Sequence, residues 1–199
     1  MSVGAGLVDG AALVVGVQRD RSRLQVLYTD ASTDGPTGLR LGLWLVAQDE
    51  PARIASFDVP ADVIASWRLR RTYIGQGELL AVPVALVVLG EFLRGHMCTW
   101  YIDNTSAASA AVKGASPEAD NAPLALIGAL LATGLSVRLW VEYVPSAQNP
   151  ADVMTHRAYE DAEVQRQLAA GTAIAAQMQF DWAPLCSLEG AMSVLQRWG

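Results

Sequence analysis

Residues 24–32 read LQVLYTDAS. The first six alternate in polarity and are rich in β-forming side chains, which predicts a strand that ends at Asp30. The turn cluster STDGPTG follows at once. Beyond it, LRLGLWLVAQ (39–48) sets Leu39, Leu41, Leu43 and Leu45 on one face of a second strand, and RIASFDV (53–59) reads as a third. Short turns between three strands predict an antiparallel meander, with Asp30 at the end of its first strand.

Outward from there the period changes. Leu79, Val82, Leu86, Leu89 and Leu93 fall at helical spacing, so residues 76–93 read as a helix, with Gly95 as its stop signal. Pro83 lies inside this run, where it removes a backbone donor and predicts a kink. MCTWYI (97–102) is a fourth strand ending at Asp103. Helices at 105–113 and about 123–133 follow, then a fifth strand, VRLWVEYV (137–144). In PSAQNPADVMTHR, Asn149 suits an N-cap, Pro150 the first helical position, and Asp152 the first turn, where the helix dipole favours a carboxylate. A helical tail is expected to about residue 178, with Gly171 as its weak point. The last 20 residues contain Phe180, Trp182, Leu185, Leu188, Val194, Leu195 and Trp198; they are too apolar to float free and should dock on the domain or a partner.

Composition bounds the function. The chain has 199 residues, 52% of them apolar and 17% charged, which excludes intrinsic disorder. Its net charge of −6 excludes a generic basic nucleic-acid coat, which needs concentrated positive charge. It leaves open a nucleic-acid enzyme whose acids hold metal ions. Lys113 is the single lysine among 14 basic residues. Two Cys without CxxC spacing and two His make neither a disulfide framework nor a conventional zinc site, and an intracellular setting is expected. The apolar N-terminus lacks a positive flank and carries Asp9, so it does not read as a signal peptide. No apolar run reaches the ~20 residues of a membrane span. Cys98, mid-strand, reads as buried and inert, and Trp44, Trp100 and Trp140 as core or sheet-face packing.

The element order β-β-β-α-β-α-α-β-α carries an acid at four points: Asp30, Glu78, Asp103 and Asp152. Adjacent strand ends and a helix packed across them can bring such carboxylates together. They would repel unless cations neutralise them. Hard oxygen ligands suit Mg²⁺ or Mn²⁺, and two such ions can assist phosphodiester cleavage.

In TDAS (29–32), ELLA (78–81), YIDN (101–104) and VPSAQNPAD (144–152) the chain resembles the ribonuclease H family, closest to the reverse-transcriptase-linked domains of retroelements. The resemblance covers roughly residues 24–157. It implies an α/β fold, with a mixed five-stranded sheet (strands 1–3 antiparallel) flanked by helices. It also implies hydrolysis of the RNA strand of RNA–DNA hybrids, with two divalent ions held by Asp30, Glu78, Asp103 and Asp152. Residues 1–23 would then be an N-terminal extension, 24–157 the catalytic domain and 158–199 a docked C-terminal helical extension. The implied partners are the hybrid itself and a reverse transcriptase domain or larger polyprotein, with no membrane.

For the hybrid, the residues offer Arg68, Arg70 and Arg71 to phosphates, because the guanidinium fork matches phosphate oxygens, with Trp67 near a sugar or base. Ser32, Gln76, Asn104 and Thr105 flank the acids and suit minor-groove contacts. His156 and Arg157, one turn past Asp152, are auxiliary candidates. The chain departs from the family in several places. The loop PSAQN lacks the mobile His of cellular members, His156 stands where retroelement members usually have Arg, and the 104–135 stretch has only Lys113 in place of a basic protrusion. Two other readings stand beside this one. The first is a non-catalytic scaffold of the same fold that binds nucleic acid or a protein. The second is another nuclease or strand transferase of the superfamily.

Overall fold

A computed structural model describes residues 24–69, 71–176, 181–182, 185 and 187–198. Three strands form the expected meander: β1 (Gln25–Ser32), β2 (Arg40–Ala47) and β3 (Ala52–Asp58). Both pairings are antiparallel, and Asp30 lies opposite Gly42. The alternation read from β2 is literal in space: Leu41, Leu43 and Leu45, with Leu39 just before, are fully buried.

After the short helix α1 (Ala61–Ala65) comes α2 (Ile74–Val88), which runs through Pro83 to Val88. A break at Leu89 separates it from α3 (Gly90–Leu93), and Gly95 follows with φ +74°, a conformation that favours glycine. Almost every residue of α2 from Gln76 onward is buried, so this helix is the centre of the core rather than an amphipathic cover. Then come β4 (Met97–Ile102), α4 (Thr105–Lys113), α5 (Asn121–Gly134) and β5 (Arg138–Tyr143). β4 pairs in parallel with β1, and β5 in parallel with β4.

The C-terminal part departs from expectation. After α6 (Asp152–His156) and α7 (Ala162–Ala169), residues Ala173–Ala175 form β6, a strand parallel to β3. The sheet therefore has six strands rather than five, in the order β5-β4-β1-β2-β3-β6. The predicted helical tail to residue 178 fails for this reason. Alanine favours helix in isolation, but the free edge of β3 offered three residues a ladder, and tertiary pairing overrode propensity. Gly171, with φ +70°, ends α7 as the weak point suggested.

Two apolar layers hold the sheet. α2, α4 and α5 cover one face around Leu27, Leu43, Leu80, Leu86 and Trp100. On the other face α6 and α7 enclose Trp44, Ile54, Met154 and Val164. The last helix, α8 (Leu188–Trp198), packs on α5, with Leu195 against Gly134 and Val194 and Ala191 buried. Phe180 lies outside the described residues. Trp44 and Trp100 are buried as expected, but Trp140 is 67% exposed, because β5 is an edge strand with that face uncovered. Cys98 is buried, and burial pushes its thiol up to about 12. Among the described residues, no helix is long and apolar enough to cross a membrane.

Candidate functional site

The sheet changes sense at β1, which is parallel to β4 on one side and antiparallel to β2 on the other. In open α/β sheets the carboxyl ends of strands at such a point form a natural crevice. Asp30 sits near the end of β1 and Asp103 directly after β4. Glu78 reaches them from α2. Gly77 brings this helix close, since a Cβ there would fall 2.6 Å from Leu39 Cδ1 and 3.0 Å from Ala31 Cβ. As a result the Ala31 N–H donates to Glu78 Oε1 at 3.2 Å.

One carboxylate oxygen from each of Asp30, Glu78 and Asp103 lies within 4.8 Å of the others. Asp30 and Glu78 are each only 3% exposed. Burial raises Asp30 to about 6; its bond from Thr155 opposes this, and Asp103 and Asp152 add to it by repulsion. Burial, then the charges of Asp30 and Asp103, push Glu78 up to about 9. Glu78 Oε2 is buried and makes no hydrogen bond among the described residues. A buried carboxylate oxygen without a partner, on a residue clustered with two further carboxylates, fits a hard divalent cation, which would cancel the repulsion.

Asp152 stands apart from this trio. It opens α6, half exposed, close enough to repel Asp30 but outside the 4.8 Å set. Its Oδ1 lies 3.5 Å from His156 Nε2, and His156 Nδ1 meets Asp34 Oδ2 at 2.6 Å. The hydrogen bond to Asp34 raises the His156 pKa, burial lowers it, and the Asp152 charge raises it further. On Asp103, Oδ2 accepts a hydrogen bond from the Ser146 hydroxyl in the loop before α6.

The segment 149–156 is stitched along the sheet. Asn149 does not cap α6 at its first residue, as its sequence position suggested; the helix starts at Asp152. Asn149 is buried instead, donating from Nδ2 to the Thr29 carbonyl and accepting from the Ala151 N–H. The last carbonyls of α6 have no helical partners, and sheet side chains take them up. Ser56 Oγ donates to Met154 O, Ser32 Oγ to Thr155 O and Arg40 Nη1 to His156 O.

The flanking candidates are scattered. Ser32 is buried, with its hydroxyl engaged by Thr155. Gln76 is buried within α2. Asn104 caps α4, its Oδ1 accepting from the Ser106 and Ala107 N–H groups, while Thr105 is exposed beside it. Trp67 packs partly into the core, 5.9 Å from the Tyr73 ring. Arg68 and Arg71 are exposed, as is Arg157; Arg70 lies outside the described residues. Sequence reasoning missed Thr155, Ser146 and Asp34 as neighbours of the acids, because short polar residues in turns and short helices carry no periodic signal.

No family model matches the chain, and no curated protein matches it. Among solved structures it is similar to the RNase H1 of the halophilic archaeon Halobacterium salinarum NRC-1, at 21% identity and a TM-score of 0.52, over 70% of this chain and 99% of that one. An N-terminal RNase H domain from Mycobacterium tuberculosis, solved as a fusion with maltose-binding protein, is also similar, at 15% identity and a TM-score of 0.46 over 75% of this chain and 99% of that one. The fold is that of ribonuclease H: a mixed α/β sheet with an antiparallel β1–β3 meander, flanked by helices.

Proposed function

We propose that the chain is a metal-dependent endonuclease of the ribonuclease H type, hydrolysing the RNA strand of RNA–DNA hybrids to 3′-hydroxyl and 5′-phosphate products. The observation that carries this reading is the Asp30–Glu78–Asp103 cluster, with Asp30 and Glu78 buried, Asp103 half-buried, and one buried Glu78 oxygen without a partner. Burying carboxylates side by side without a cation is costly, which favours a metal-holding role over a purely structural one.

Asp30, Glu78 and Asp103, with Asp152 at the open side, would hold Mg²⁺ or Mn²⁺. Two bound divalent ions supply a hydroxide-like nucleophile from water and stabilise the leaving oxygen. The protein's own side chains do the rest. Glu78 is seated by the Ala31 N–H and Asp103 by Ser146. His156, held toward its protonated form between Asp34 and Asp152, places a proton at the mouth of the site. Arg68, Arg71 and Arg157 are exposed and suit phosphate contacts. A reverse transcriptase domain or larger polyprotein as context, and an intracellular site of action, belong to the same proposal. They rest on the motif resemblance and the substrate class alone.

The test is cleavage of a labelled RNA–DNA hybrid with Mg²⁺ or Mn²⁺ by the wild type and by Asp103→Asn. The wild type should cleave only with metal, and the variant should lose roughly 100-fold or more. A well-folded wild type that binds hybrid without cutting it would favour the scaffold reading.

A further inference from the structure

Thr155 has no place in the acid pattern, yet it touches the site's most enclosed strand. It is fully buried, and its Oγ1 lies 2.7 Å from Asp30 Oδ2. The same hydroxyl lies 2.9 Å from the Asp152 carbonyl. It carries one hydrogen, so the two acceptors compete, and the charged one forms the stronger bond.

The contact exists because α6 lies unusually close to the sheet. Gly42 is the residue opposite Asp30 on β2. A Cβ there would fall 2.4 Å from the Ala151 carbonyl oxygen, 2.9 Å from Thr155 Cγ2 and 3.0 Å from Met154 Cβ. Only glycine admits the helix backbone at that distance. Ser32, two residues along β1, then holds the Thr155 carbonyl at 2.9 Å, and Asn149 holds Thr29. Residues 29, 30 and 32 of one strand are thus tied to the segment that also carries Asp152.

We propose that Thr155, seated against Gly42, is a positioning residue: its hydroxyl fixes Asp30 Oδ2 and so sets the orientation of the Asp30 carboxylate toward a divalent cation that Asp30, Glu78 and Asp103 would hold. This rests on the nuclease reading and extends it to a residue outside the four acids. Hydrogen-bond partners of metal ligands fix ligand orientation, and their loss commonly costs about 10–100-fold in metal affinity or activity.

The experiment compares the wild type, Thr155→Val and Thr155→Ser. Valine keeps the shape and removes the donor; serine keeps the donor and removes the methyl. Isothermal titration with Mn²⁺ alone reads metal affinity, hybrid cleavage reads kcat and KM, and thermal unfolding of the metal-free proteins checks the fold. Thr155→Val should weaken Mn²⁺ binding by about 10–100-fold and lower kcat with KM for the hybrid unchanged, and Thr155→Ser should restore both. Wild-type behaviour of a folded Thr155→Val, or equal damage by both variants, overturns the positioning role while leaving the nuclease reading intact. A wild type that neither binds Mn²⁺ nor cleaves overturns the two together.

Discussion

Glu78 and Asp30 are buried carboxyls that repel each other. The Glu78 carboxyl is displaced to about 9 and that of Asp30 to about 6, both upward. The folded chain therefore holds more protons than the unfolded chain across this window. The contribution of these two groups to metal-free stability is therefore fullest below the ordinary carboxylate range and is lost as pH rises through about 6 and on to about 9. Thermal unfolding in a chelator should show this slope. Glu78→Gln should flatten it and raise the alkaline Tm by several degrees, each kcal/mol being worth about 2–4 °C at this chain length. Magnesium should stabilise the wild type at alkaline pH and leave Glu78→Gln unmoved. A variant as pH-sensitive as the wild type would show that Glu78 is not the strained group.

At the scale of elements, the close seating of α6 on β2 and of α2 on β1 decides whether the acids meet. Both depend on a glycine beside a carboxylate: Gly42 opposite Asp30, and Gly77 next to Glu78. The two positions differ in what blocks a side chain. Gly77 faces the ends of Leu39 and Ala31, whereas Gly42 faces backbone, which cannot step aside. Gly42→Ala should therefore cost about 1–3 kcal/mol by displacing α6, and should reduce cleavage along with stability. A urea midpoint that falls with the slope unchanged would report it. The same scale explains Trp140. Its alternation in β5 was legible, but β5 is an edge strand: α4 packs on it and Leu139 and Val141 meet the core, while Trp140 between them stays exposed.

For the whole molecule, the net charge of −6 takes on a different meaning beside the site. Two divalent ions would bring it to −2, so acidity does not oppose a polyanionic substrate; it makes binding depend on metal and a few Arg. Hybrid binding should be weak and should fall steeply as salt rises. Salt-independent binding would argue against phosphate contact by these Arg. Leu185, 4% exposed, sits in the core that also contains Leu80 of α2. Leu185→Ala should cost about 2–5 kcal/mol in denaturant unfolding. A change near zero would mean the tail is merely laid on the surface.

Local sequence was enough to define the meander, the central helix, the five longer strands and the acids at their ends. Each rests on a short-range signal: alternation in 39–45, helical spacing from Leu79 to Leu93, an acid at a strand end. What only the tertiary structure decided has a common cause, namely contacts between residues far apart in the chain. The sixth strand exists because β3 had a free edge. Asp152 stays at the rim because α6 begins at that residue, beyond the buried Asn149. Thr155 meets Asp30 across more than a hundred residues, through a space that one missing Cβ leaves open. Periodicity records which face of an element is apolar, but it does not encode how closely two backbones approach, and that distance determines which carboxylates meet.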